Sequence, residues 1–222
     1  MIKFKDRKQA GQKLAEELAN LRGQNILVLA IPNGGVPVGL EIAKSLQADF
    51  DVLVVRKMQL PWNTEIGFGA IAPDGTEILN EEMILEFGLT KAAIVLQKQK
   101  TKNKINERIR LYRRGKKSFG DLSEKIVIII DDGLASGYTM SVACEYIRKF
   151  LPQRIIVAVP CASADSFDKV KEFCDEIISL NLKKDYPFAV ADFYDNWYDL
   201  EDEEVVSLIK EFHGRKNRKT VK

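Results

Sequence analysis

The stretch "KIVIIIDDGLASGYTM", Lys125 to Met140, decides how this chain is read. Ile126 to Ile130 is continuously apolar and β-branched, the pattern of a strand covered on both faces of a parallel sheet. It runs directly into two acids, Asp131 and Asp132. In open parallel sheets, ligands bind beyond the carboxyl ends of the strands. Two ionised carboxylates side by side repel one another and need solvent, donors or a cation to compensate them. Neighbouring sugar hydroxyls supply one donor to each carboxylate, and a divalent cation is the other natural partner.

The loop that follows, Gly133-Leu134-Ala135-Ser136-Gly137-Tyr138-Thr139, has the character of a phosphate cradle. Gly133, Ala135 and Gly137 let the backbone turn tightly and approach a ligand. A helix opening near Tyr138 turns its free N–H groups and positive dipole end toward the loop, which makes an anion site. Ser136 and Thr139 add hydroxyl donors. Diol readers and a phosphate cradle a few residues apart describe a site for ribose 5-phosphate. A plain strand-to-helix turn with an aspartate cap explains one acid and one glycine, but not the whole run. A Walker-type loop is a poorer match, because no Gly-Lys-Ser/Thr follows.

Working outward, the elements alternate in the βαβ manner of an α/β protein. Lys8 to Arg22 has helical periodicity, with Ala10, Leu14, Leu18 and Leu21 on one face. "NILVLAIP" and "DVLVVRK" are predicted buried strands, separated by a glycine turn and the helix in "NGGVPVGLEIAKSL". "GFGAIAPDGTEIL" predicts a hairpin about the turn Pro73-Asp74-Gly75. Asn80 caps a short helix ending near Gly88, and Thr90 caps a long one reaching about Arg114. Beyond the central strand come a helix (Tyr138 to Phe150), a strand ("RIIVAVP"), a helix (Ser163 to Phe173), a strand ("EIISL") and a last helix from about Glu201 to Phe212.

The 222 residues suit a single domain, 1–222, with an insertion over about 60–118 and a C-terminal hood and tail over about 181–222. The net charge of +2 names no partner. Locally, Gln97 to Lys117 carries ten Lys or Arg against one acid, Glu107; Asp199 to Glu204 is acidic, and Arg215 to Lys222 is basic. Cys144, Cys161 and Cys174 show no metal-ligand spacing, and an odd count fits a reducing compartment. The start has no apolar h-region, and no apolar run approaches the length of a membrane span. These features predict a cytoplasmic protein with no membrane partner.

Strand, two acids, small residues and Ser-Gly-x-Thr together resemble the phosphoribosyl pyrophosphate (PRPP) signature of type I phosphoribosyltransferases. "IIIDDGLASGYT" matches it throughout, with Ser136 where threonine is commoner; the hydroxyl is kept. "LAIPNGGVPVGLEIAKSL", "FDVLVVRKMQLPWNTEIGFGAIAPDG", "ERIRLYRRG" and "RIIVAVPCAS" are similar to a less characterised bacterial branch of the family. The resemblance implies a central, mainly parallel sheet flanked by helices, with a hairpin-plus-long-helix insertion and a small hood. It also implies Mg²⁺-dependent transfer of 5-phosphoribosyl from PRPP to a nitrogenous small-molecule acceptor, releasing pyrophosphate, in a homodimer.

The resemblance assigns roles along the chain. Asp131 and Asp132 hold the ribose hydroxyls and touch Mg²⁺ only through PRPP and water. Gly133 to Thr139 hold the 5-phosphate. Asn33, Gly34 and Gly35, with Arg56 and Lys57 at the end of the second strand, hold the pyrophosphate; Arg offers a fork and Lys a point charge. Lys57 to Phe68, around Pro61, Trp62 and Asn63, is the closing segment. Val159 to Ala162, including Pro160 and Cys161, with Phe188, Phe193, Tyr194 and Trp197, surrounds the acceptor. The reaction requires no protein nucleophile. The chain shows no Ser-His-Asp or Cys-His arrangement, and its one histidine, His213, sits near the end. Arg108, Arg110, Arg113 and Arg114 either reach toward phosphate or form a solvated face. Two rival readings stand beside the enzyme: a PRPP- or nucleotide-sensing regulator without turnover, and an RNA-binding protein using the basic helix. The last has the least support, since only Tyr112 interleaves the charges and no reading motif is present.

Overall fold

The computed structural model describes residues 2–220, with side chains through Gly214; the basic tail beyond Gly214 therefore lies outside the described side chains. Five parallel strands form the central sheet: β1 (Ile26–Ala30), β2 (Asp49–Val52), β6 (Ile126–Ile130), β7 (Arg154–Ser163) and β8 (Glu176–Lys183). Their order is β2-β1-β6-β7-β8. In register, Ile128 faces Val28 on one side and Ile156 on the other. Every residue of β1 and β6 is buried, as continuous apolar runs require in a sheet covered on both faces.

Alternate side chains divide the core in two. Val28, Ala30, Ile126, Ile128 and Ile130 face a layer built from α1 (Arg7–Glu17), α2 (Gly35–Leu46), α4 (Lys91–Arg113) and α7 (Asp202–Thr220). Leu27, Leu29, Val127 and Ile129 face α5 (Tyr138–Arg148) and α6 (Ala164–Lys171). Burying an Ile or Leu side chain contributes roughly 1.5–3 kcal/mol, so the two layers hold the central strand end rigidly in place. The predicted helix caps form: Asn80 accepts from Met83 N–H ahead of α3 (Glu81–Glu86), and Thr90 accepts from Ala93 N–H ahead of α4.

Two expectations are corrected. The first helix stops at Glu17 and continues as a 3-10 turn, Ala19–Leu21; Leu18 and Leu21 still reach the core. "DVLVVRK" is not one strand. Only Asp49–Val52 pairs with β1; the Leu53 N–H still donates to the Ala30 carbonyl, and Val54 and Val55 are buried beyond the end of that ladder. Arg56 then begins β3 (Arg56–Leu60) of a separate antiparallel sheet with β4 (Asn63–Ile71) and β5 (Glu77–Leu79). Apolar burial is non-directional, so a buried run does not reveal where the hydrogen-bonding partner changes. The segment expected to close over the site, Lys57 to Phe68, is largely strand. Its tip exposes Trp62, while Phe68 is fully buried.

The end of α4 is tied down from inside. Arg113 is buried and donates to Asp51 and to the carbonyls of Lys116, Lys117 and Ser118, with Phe119 stacked on its guanidinium. This arginine belongs to no solvated face, whereas Arg110 and Arg114 are exposed. We expect Arg113→Leu to cost about 2 kcal/mol, chiefly by orphaning those three carbonyls. Urea unfolding monitored by fluorescence measures it.

Candidate functional site

The carboxyl end of β6 delivers Asp131 and Asp132 to the sheet edge, where successive side chains point to opposite sides. Asp131 lines a cavity of about 420 Å³. The whole loop Gly133 to Thr139 lines the same cavity, together with Lys57 from β3 and Gly67, Gly69, Asn80 and Met83 from the inserted sheet and its following helix. Lys57 donates to the Glu65 carbonyl at 2.7 Å, which holds its ammonium at the rim. α5 begins at Tyr138 with Gly137 as its cap in the left-handed region (φ 80°), so its first N–H groups open toward the loop.

Asp132 points the other way and is held. Arg7 Nε donates to its Oδ2 at 2.8 Å. Arg7 also donates to the Tyr198 carbonyl, and Trp197 stacks on its guanidinium with the ring centroid 4.0 Å away. The Tyr194 hydroxyl donates to the Asp132 carbonyl at 2.7 Å. Gly34 lies directly against this carboxylate: a Cβ there would come within 1.8 Å of Asp132 Oδ2. A Cβ on Gly35 would meet the Ile130 carbonyl at 2.7 Å. Close approach, not turn geometry alone, requires glycine at both positions.

The remaining predicted anion residues gather at a third point. The Pro32–Asn33 peptide is cis. Asn33 Nδ2 donates to the Leu200 carbonyl and to Asp202, and its Oδ1 lies 2.9 Å from the Tyr112 hydroxyl. That hydroxyl is hydrogen-bonded to Asp202, and Arg108 pairs with the same carboxylate at 3.1 Å. Burial and the neighbouring Arg108 charge lower the pKa of Arg56, while Asp202 and Tyr112 oppose the shift. Arg56 thus belongs with Asn33, Arg108, Tyr112 and Asp202, whereas Lys57 belongs with the cavity. The two were expected to act together, but alternation along β3 separates them.

The phosphoribosyl transferase domain family matches residues 3–196. The chain belongs to that family. Proteins provisionally named phosphoribosyl transferases in two strains of Mycobacterium tuberculosis, MT0597 and Rv0571c, are 38% identical over 210 residues. That alignment takes in 95% of this chain and 47% of the relatives, so the chain spans about half the length of the curated proteins it matches. The solved structure of TT1426 from Thermus thermophilus is similar at 30% identity, with a TM-score of 0.76, over 95% of this chain and 99% of that one.

For a phosphoribosyltransferase domain, the acceptor side departs from expectation. Pro160 and Cys161 are buried, because β7 continues to Ser163 instead of ending in a loop. The Cys161 thiol packs under Gly133, and burial pushes its pKa up. Tyr194 and Phe193 are buried as well, with Phe193 tilted against Phe188. Trp197 keeps about a third of its surface exposed. No sequence signal pointed to Arg7. An arginine inside the first turn of a helix capped by Asp6 reads as surface, and its partner lies 125 positions away. The cavity-lining hairpin residues were equally hidden, since they alternate like any half-buried strand.

Burial and the adjacent Asp132 charge raise the Asp131 pKa well above the ordinary carboxylate range. Burial also raises that of Asp132, where Arg7 offsets part of the effect. A raised native pKa means the unfolded chain ionises first as pH climbs. Stability is therefore lost between the unfolded Asp value, about 3.9, and the higher native one. We expect Asp131→Asn to raise the melting temperature of the ligand-free protein at pH 7, with the gain vanishing below about pH 4. Thermal melts across pH measure it.

Proposed function

We propose that this domain transfers 5-phosphoribosyl from PRPP to a nitrogenous base or related amine, with Mg²⁺, releasing pyrophosphate. The observation that carries this reading is the single cavity in which Asp131, all of Gly133 to Thr139 and Lys57 converge. Loop N–H groups and the hydroxyls of Ser136 and Thr139 hold the 5-phosphate, with the start of α5 adding its positive end. Asp131 accepts from a ribose hydroxyl. Asp132 reads the adjacent hydroxyl when Arg7 yields, and otherwise fixes the Asn33–Gly35 turn. Asn33, Gly34 and Gly35, with Arg56 and Arg108, receive the pyrophosphate. Lys57 guards the rim between the two anions.

The bond from ribose C1 to pyrophosphate breaks with positive charge growing on the sugar and negative charge on the leaving group. Preorganised donors at the turn and the two arginines stabilise the departing anion. Among the described residues, no group of three or more His, Cys, Asp or Glu gathers to cage a metal. One carboxylate at the cavity wall fits a Mg²⁺ that arrives on PRPP phosphates and keeps most of its water. When bound, that ion neutralises leaving-group charge. The acceptor's own nitrogen is the nucleophile. Trp197, partly exposed beside Arg7, is the hood aromatic placed to meet a flat acceptor. Among the described residues no helix is long and apolar enough to cross a membrane. Cys144, Cys161 and Cys174 are all free thiols, in keeping with the reducing cytoplasm to which we assign the domain.

One observation favours a second reading. Arg7 already satisfies Asp132, as it would in a PRPP sensor that reads the phosphate end without turnover. Two measurements separate the readings. We expect Asp131→Asn to weaken PRPP binding by at least about tenfold, the equivalent of one charge-assisted hydrogen bond, and calorimetry reads it directly. We also expect pyrophosphate release from PRPP with at least one member of a purine and pyrimidine base panel. Tight PRPP binding with no release on any acceptor would select the sensor.

A further inference from the structure

We propose that α6 is the positioning element for the phosphate loop, acting through Ser163, Ser166 and Lys169. The inference rests on the reading of Gly133 to Thr139 as the 5-phosphate cradle, and it assigns residues outside the cavity that no motif singled out.

Three consecutive loop carbonyls are taken up by one face of one helix. The Leu134 carbonyl accepts from Ser163 N–H at 3.1 Å and lies 2.9 Å from the Ser166 hydroxyl. The Ala135 carbonyl accepts from the Ser163 hydroxyl at 3.1 Å. The Ser136 carbonyl accepts from Lys169 Nζ at 3.1 Å. Positions 163, 166 and 169 recur every three residues, so they share a helix face. Ser163 is also the α6 cap, accepting from Ser166 N–H, which locks the serine pair to the start of the helix. Both serines are buried.

The consequence follows from peptide geometry. In a planar trans peptide the N–H of residue i+1 points away from the C=O of residue i. The peptide bonds after Leu134, Ala135 and Ser136 are trans, since the only cis bonds among the described residues are at Asn33 and Pro187. Turning the three carbonyls toward α6 turns the N–H groups of Ala135, Ser136 and Gly137 to the opposite side. That side is the cavity: the loop lines it, and none of the three α6 residues does. Among the described residues those three N–H groups make no hydrogen bond, the state of donors held ready for an anion.

Two further contacts fix the seat. A Cβ at Gly137 would lie 3.2 Å from the Ser166 carbonyl and 3.3 Å from Val170, so the loop rests directly on the α6 backbone. The Lys169 ammonium sits 3.7 Å from the centre of the Tyr138 ring, joining the first residue of α5 to the same clamp. The arrangement is built in advance of any ligand, and preorganised donors cost no reordering when charge arrives.

The test uses the full chain with Lys169→Met, Ser166→Ala, Ser163→Ala and Ser163→Thr. Two quantities are read: amide hydrogen exchange at residues 135–139, and calorimetric affinity for ribose 5-phosphate against affinity for pyrophosphate. Each bond lost should speed local exchange and weaken ribose 5-phosphate binding about fivefold, the scale of one net hydrogen bond. Pyrophosphate affinity should hold. Ser163→Thr, which keeps the hydroxyl and the cap, should behave as wild type. Folded Lys169→Met and Ser166→Ala proteins with unchanged exchange would overturn the inference. Lys169 is partly exposed, so its variant remains informative if a serine variant fails to fold. A wild-type protein that binds no ribose 5-phosphate sinks the reading of the cavity instead, and the exchange rates still decide whether α6 orders the loop.

Discussion

The Asp132 carboxylate must be compensated inside the protein, and three distant segments are committed to it. Arg7 supplies the countercharge from the first helix. Tyr194 anchors the backbone of the same residue from the segment after β8. Gly34 gives up its side chain so that the turn after β1 can press against it. An unpaired buried charge costs several kcal/mol, so these contacts are mutually dependent. Moving the aspartate would unseat the N-terminal helix, the Tyr194 segment and the Asn33 turn together. Phe4 shares in this: its backbone pairs beside Tyr194 and its ring packs against that of Tyr194.

Around that pivot the adjacent carboxylates do different work. Asp131 lines the cavity, is buried enough to have a raised pKa, and accepts at Oδ1 from the Asp132 N–H. Asp132 is already partnered. A second polar junction on the other side of the turn joins α4, α7 and β1 through Tyr112, Arg108, Asp202 and Asn33. There Tyr112, Asn33 and Arg108 outweigh burial and hold the Asp202 pKa below its usual value. The long basic helix, ambiguous by composition, is tied into the fold at three of its cations. Lys98 pairs with Glu77, Arg108 with Asp202 and Arg113 with Asp51, each tying the helix to a different element.

Much of the frame was legible because it depends on local rules. Runs such as Ile26–Ala30 and Ile126–Ile130 can satisfy their apolar side chains only between two covered faces. Asn80, Thr90 and Ser163 offer side-chain oxygens where helices have orphan N–H groups, and each caps as its position demands. The Pro73-Asp74-Gly75 turn has Gly75 in a left-handed conformation (φ 99°), as its residue type permits. Boundaries failed where burial and hydrogen bonding part company. Leu53 to Val55 are more apolar than the Asp49–Val52 strand before them, yet only the Leu53 N–H still reaches β1. Val159 to Ala162 stay in a strand because β8 keeps pairing with them, Val159 opposite Ser179 and Ala162 opposite Leu182, while Leu134 bridges Ala162 on the other side from 28 residues upstream.

By itself the sequence determined the parallel sheet and the placing of two acids and a glycine-rich loop at a strand's carboxyl end. Those features follow from periodicity, turn chemistry and charge within some fifteen residues. Only the tertiary structure decided which carboxylate faces the cavity, that Arg7 neutralises the other, and that Arg56 and Lys57 part company. It alone seated the Gly133–Thr139 loop on Ser163, Ser166 and Lys169. Each is an encounter between side chains far apart in sequence. Their orientation is set by how the layers pack, and no local rule carries that information.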